Sequence, residues 1–252
     1  MIKFFRKIRQ SLLLEGNTAK YLKYAVGEIL LVVIGILIAL QINNWNEVRK
    51  ELINETKILK TLNAEFTQNS ITLDSILKQL NRMEQSLSFV FQNIKPDPNL
   101  DYTPEQLDSL LSISFSDPYW TRSEYTLRNL ESSGKLSTLK SEDLKSKLYE
   151  WSLVATDISD KDSDATQGFN ILLNYYRENG SLRNLDEGGW VITEGRSSLD
   201  YDHFKFFTDI VFENIIDDCL VYTRQRIRRY NKARIIIDQV IALTQTADNK
   251  DD

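Results

Sequence analysis

The chain has 252 residues, 42% of them hydrophobic and 27% charged, with a net charge of −5. That is ample material for a core and gives no electrostatic case for nucleic acid as a partner. One cysteine, Cys219, excludes an intrachain disulfide, and one histidine, His203, argues against a His-rich metal cluster or a His-based triad.

Four prolines and nine glycines favour long helices over a many-turned β protein. The expected class is all-α. No cofactor motif and no catalytic constellation stands out.

In the segment 1–16, the first 14 residues, "MIKFFRKIRQSLLL", place Phe4, Phe5, Ile8 and Leu12 on one helical face and basic side chains on the other. This predicts a short interfacial helix on the cytoplasmic leaflet, ended by Gly16, with a disordered basic tail as the alternative. Asn17 or Thr18 then caps a spanning helix over 18–43.

From Tyr24 to Ile42 there are 19 residues, and only Glu28 and Gln41 are strongly polar. At about 1.5 Å per residue the run covers roughly 28 Å, close to the hydrocarbon thickness of a bilayer. "ALQINNWNE" offers no small-x-small cleavage pattern, so an uncleaved signal anchor is the reading. Lys3, Arg6, Lys7, Arg9, Lys20 and Lys23 precede the span against one acid, Glu15, while Arg49 and Lys50 after it are interleaved with Glu47, Glu51 and Glu55. The positive-inside rule puts the N-terminus in the cytoplasm and the rest in the periplasm of a Gram-negative cell, with Trp45 as the outer interface anchor.

Glu28 is the odd residue. On helical geometry Glu28, Val32, Gly35 and Ala39 share one face, and Gly35-xxx-Ala39 is a small-xxx-small pair that admits another helix. Three readings stay open for the carboxylate: a helix–helix contact, a head group snorkelling to the inner leaflet, or a proton-handling site.

A heptad pattern follows. Trp45, Leu52, Leu59, Phe66, Leu73, Leu80, Leu87 and Ile94 recur every seventh residue, with Val48, Glu55, Leu62, Asn69, Ile76, Met83 and Val90 between them. One helix is thus predicted from the membrane to about Asn93, projecting on the order of 70 Å. Polar Glu55 and Asn69 on the seam are expected to set register or oligomer state. The seam can be closed by this chain or by a sister chain; intrachain packing with some self-association at the stalk base is favoured.

Residues 44–246 are expected to form the periplasmic domain, an elongated antiparallel helical bundle. Short helices fit "PEQLDSLLSI" and "SEYTLRNLESSG". A long one runs through Leu144, Leu148, Trp151, Ala155, Ile158, Ala165, Phe169, Leu172 and Tyr176, stopped at Asn179-Gly180. "GSLRNLDEGGWVITEGRSS" reads as a loop. The last segment, Tyr201 to Thr246, carries Phe207, Val211, Ile215, Ile227, Tyr230, Ile237 and Ile241 at helical spacing and returns towards the membrane; 247–252 is a disordered tail.

Asp160, Asp162 and Asp164 alternate like the start of a calcium loop, but Ala165 and Ile171 stand where Gly and a bidentate Glu are needed, so a solvated acidic face is expected. "YDHF" reads as a capping aspartate beside a surface His203. The bases of "RQRIRRYNKAR" are expected to pair with stalk acids or approach lipid headgroups. Cys219 reads as a small buried hydrophobe.

The first 50 residues, with "GEILLVVIGILIALQINNWNE" the most specific stretch and "LESSGKL" a looser one further on, resemble a family of uncharacterised single-span membrane proteins of Bacteroidota. The resemblance implies topology and lineage and transfers no catalytic or binding residue.

The leading expectation is a non-enzymatic inner-membrane protein, acting as scaffold, accessory or receptor-like subunit. Its partners are membrane lipid, its own copies or a polytopic membrane protein, with no nucleic acid and no cofactor or metal. One alternative is a stator-like subunit driven by the proton-motive force through Glu28. Another is a periplasmic sensor relaying through a partner. An enzyme is the least favoured, since the heptad positions predict a filled core where a pocket would be needed.

Overall fold

The computed structural model describes residues 18–98, 100–188 and 194–245. The interfacial helix expected over 1–16 and the tail over 247–252 lie outside the described residues. The chain divides into two compact units, Met1–Lys57 and Ile58–Asp252. All regular structure among the described residues is helical, so the chain is all-α.

The first element, α1, spans Thr18–Asn93, uninterrupted by proline or by glycine beyond Gly35. In the first unit its described side chains, Leu22 to Lys57, are exposed or half-exposed. Its most apolar 18-residue stretch has a mean hydropathy of 2.6 and none of it is buried. Leu30, Leu31, Val32, Ile34, Ile36 and Leu37 point outward around the whole circumference. Leaving such side chains in water forgoes about 1.5–3 kcal/mol each, so the surroundings that suit this stretch are apolar. This helix is long and apolar enough to span a membrane once.

The second unit holds the rest of α1 and the elements after it. These are α2 (Pro104–Ser114), α3 (Tyr125–Ser132), a 3₁₀ turn (Lys135–Thr138), α4 (Glu142–Asn179), α5 (Leu182–Gly188), a 3₁₀ turn (His203–Thr208) and α6 (Ile210–Gln245). Thr103 and Gln106 form a capping box at α2, with Pro104 at its first position. Ser141 caps α4 by accepting the Leu144 N–H at 3.1 Å. Gly134, at φ 69°, follows α3 in a conformation that a side chain would disfavour.

Paired residues fix the helix directions. Asn63 meets Thr244, Asp74 meets Arg234, Glu84 meets Arg224, and Lys95 donates to the Phe207 carbonyl. As one partner's number rises the other's falls, so α1 and α6 are antiparallel. Asp157 with Arg229, Gly168 against Tyr222 and Tyr175 with Asp209 show the same for α4 and α6. Gly168 lets the two helices approach: a Cβ there would stand 2.8 Å from the Tyr222 ring, which would have to shift.

The heptad seam becomes the core. Leu62, Phe66, Leu73, Leu80, Met83, Leu87 and Val90 are buried, with Leu59 packed beside them. Phe66 meets Trp151 of α4 edge-on at 5.3 Å. Asn69, also buried, spends its amide within the chain, donating to the Ser123 carbonyl and accepting the Ser123 N–H, both at 2.8 Å.

The last segment departs from its expected phase. A 3₁₀ turn at 203–208 precedes α6, and the Asp209 carboxylate restarts the helix by accepting the Val211 N–H at 2.8 Å. The break rotates the following positions: Phe212 is buried and Val211 is exposed.

These burials predict a contrast between two leucines of one pattern. Leu73→Ala should cost about 2–5 kcal/mol, the ordinary toll of emptying a core site. Leu52→Ala should stay within about 0.5 kcal/mol. Urea unfolding of the detergent-solubilised chain, followed by circular dichroism, reads both.

Candidate functional site

Charge inside the second unit is concentrated at two places. The first is Asp108, on the buried face of α2 between Leu107 and Leu111 and itself fully buried. Its carboxylate accepts from Arg196, from the Tyr201 hydroxyl at 2.5 Å, and faces His203 Nε2 at 3.1 Å. Tyr201 stacks on His203 with ring centres 4.0 Å apart, and its hydroxyl also meets that of Tyr176 at 2.8 Å.

Burial pushes the Asp108 carboxyl up, but hydrogen bonds from His203, Tyr201 and Arg196 outweigh it and hold the group below the usual carboxylate range. Burial and the Asp108 carboxylate both raise the Tyr201 hydroxyl, which stays protonated and donating. An anion so surrounded has little basicity left for proton transfer. It fastens the segment 196–203 to α2. The surface histidine expected from "YDHF" is therefore a buried one, while Asp202 does cap, accepting the Phe204 N–H at 2.9 Å.

The second place is Arg226 of α6, 2% exposed. It donates to Asp117 at 2.8 Å and to the Pro118 carbonyl at 3.1 Å. Its Nε lies 3.1 Å from Asp162, an ion pair without hydrogen-bond alignment, and its Nη2 is buried without a partner among the described residues. Asp162 also accepts from the Tyr230 hydroxyl at 2.7 Å; burial raises its carboxyl despite the opposing pull of Tyr230 and Arg226. The acidic face expected at Asp160, Asp162 and Asp164 is thus only partly solvated. Asp160 is exposed and Asp164 pairs with Lys161 at 2.9 Å, but Asp162 turns inward.

Arg224 and Arg234 pair with Glu84 and Asp74 of α1, the stalk acids expected for them. Cys219 is buried, which raises its thiol to about 12 and keeps it unreactive.

A groove of about 360 Å³ opens between α3 and α4, lined in part by Arg122, Glu124, Arg128 and Ser159. Arg122 is fixed there, bonded to Glu124 at 2.9 Å and Ser159 at 2.7 Å. The groove is open at the surface, while the seam side chains Leu62, Phe66, Leu73, Leu80, Met83, Leu87 and Val90 are buried. Among the described residues no three His, Cys, Asp or Glu side chains are grouped to hold a metal ion.

The residues singled out in the sequence lie on α1. Glu28 is half-exposed, Val32 and Ala39 are exposed, and a Cβ at Gly35 would meet nothing within 4 Å. Trp45 is exposed with the Arg49 guanidinium 6.0 Å from its ring centre. Leu52 is exposed, Glu55 and Leu59 are half-buried, and Leu62, Phe66, Asn69 and Leu73 are buried. Sequence reasoning missed Asp108. Its signal was an acid on the apolar face of α2, in phase with Leu107, Leu111 and the buried Ser114.

Residues 28–151 match the model of a family described as a family of unknown function, DUF6090. The match bears out the resemblance to an uncharacterised family read from the N-terminal segment. It runs from Glu28 in the apolar stretch to Trp151 of α4, and so takes in α2, α3 and the donors that line the groove up to that point. No curated protein and no solved structure matches the chain.

Asp108→Asn should cost about 3–5 kcal/mol at neutral pH, because it breaks a buried ion pair and strands its partners. A carboxyl held below its unfolded value contributes stability that is present above the ordinary range and lost as pH falls through the folded value. The difference between the two proteins should therefore be full at pH 7 and shrink below about pH 4. Urea unfolding across that range is the measurement.

Proposed function

We propose that the chain is a non-enzymatic inner-membrane protein whose single N-terminal helix anchors a periplasmic helical domain, and that it acts as a scaffold, accessory or receptor-like subunit of a membrane complex. The observation that carries this reading is the stretch of α1 from Tyr24 to Ile42, apolar around its circumference and unburied, joined in sequence to a helical unit with its own core. The bases before the stretch support a cytoplasmic N-terminus. Trp45, with Arg49 beside it, suits an outer interface where an indole is half wet.

Glu28 favours a second reading, a stator-like subunit, because it is the one acid between Tyr24 and Ile42. A carboxylate in a membrane helix is expensive and points to function.

Alkaline phosphatase fused after the last residue should be active, and fused before the first it should be inactive; the reverse result overturns the orientation. Purification of the tagged full chain in mild detergent, with mass spectrometry of what accompanies it, should recover a membrane complex or self-assembled chains. A monomer without companions sinks the subunit reading. Glu28→Gln separates the two readings: function lost with assembly intact supports proton work, and assembly lost supports a structural contact.

A further inference from the structure

The heptad pattern of α1 is used by the chain only in part. From Leu62 to Val90 its large side chains are buried, whereas Trp45, Val48 and Leu52 are 66%, 52% and 45% exposed. The register is continuous, since Trp45 to Leu52 to Leu59 to Phe66 is seven residues at each step. α6 ends at Gln245, its last turn held where Asn63 donates to Thr244 at 2.9 Å.

We propose that Trp45, Val48 and Leu52 form a parallel, in-register interface with a second copy of this chain. The inference rests on the anchored reading above. Copies that enter one bilayer in the same direction, each with Trp45 at the same interfacial depth, present like residues to each other without any register to search. Trp45 and Leu52 then take the a positions of a two-stranded coil, Val48 the d position between them, and Lys50 faces outward at f.

Glu55, at the next d position, opposes its own counterpart and limits how far the pairing extends towards Leu59. A seam of about one heptad associates weakly in solution. Confinement of both anchors to one membrane raises their effective concentration and makes so short an interface sufficient. The second unit is free of the pairing, because its own seam is already filled.

The test uses the full-length protein in its native membranes, in a Cys219→Ala background, with Val48→Cys, Leu52→Cys and Lys50→Cys introduced singly. Under mild oxidation, the Val48→Cys and Leu52→Cys chains should shift largely to twice their mass on a non-reducing gel, and the Lys50→Cys chain should stay at single mass. Equal cross-linking at all three positions, no dimer at Val48→Cys and Leu52→Cys, or a product of some other mass overturns the proposal. A membrane-impermeant maleimide applied to Lys50→Cys in spheroplasts reads the topology separately: absence of labelling defeats the anchored reading, whatever the gel shows.

Discussion

One stripe of side chains organises the second unit. Leu62, Phe66, Leu73, Leu80, Met83, Leu87 and Val90 lie along a single face of α1 and are removed from water by the chain's other helices. Each such side chain is worth about 1.5–3 kcal/mol on burial, so together they supply the main drive for α4 and α6 to pack along α1. The regularity of the stripe explains the lengthwise packing: long, straight helices with in-phase apolar faces bury most when laid along one another. Trp151 and Tyr230, both fully buried, are the bulky groups that fill the space between them.

Charged pairs then decide the register that the apolar stripe leaves open. Arg224 to Glu84 and Arg234 to Asp74 tie α6 to α1, and Arg229 to Asp157 ties it to α4. Exposed pairs of this kind contribute little stability each. Their spacing nonetheless penalises a slip of one turn, because every pair would be broken together. Arg226 and Asp108 differ, being buried. Each is committed to ion pairs whose partners come from elsewhere in the sequence, so each holds an irregular segment in place: 117–118 in one case, 196–203 in the other.

Much of this was legible because it depends on period. The heptads of α1, the stop at Asn179-Gly180 and the prolines after Asn93 are local signals, and the helices follow them. What was hidden depends on contacts remote in sequence. His203 reads as a surface residue until Asp108, 95 positions earlier, is brought beside it. Asp162 reads as part of a solvated face until Arg226 and Tyr230 arrive from α6. The phase of α6 was lost at Asp209, where a 3₁₀ turn breaks the count and Phe212 takes the inward place expected for Val211. Asn69 is the instructive intermediate. A polar residue on an apolar seam is visible in the sequence, but that its amide serves the Ser123 backbone is not.

The seam and the apolar stretch share one helix and obey opposite rules. In the apolar stretch, exposure of Leu31 or Ile38 suits surroundings of lipid, where sequence need only avoid charge. Above Leu62, burial is favourable because water is the alternative, and sequence must keep a period. Residues 45–54 lie between the two regimes, periodic like the bundle yet mostly exposed like the apolar stretch. A periodic stripe confers nothing on a lone helix in water or in lipid; it acquires value only against another periodic surface. That is the physical distinction between Trp45, Val48 and Leu52, whose stripe meets no other helix face of its own unit, and the seam from Leu62 to Val90, which is buried within the bundle.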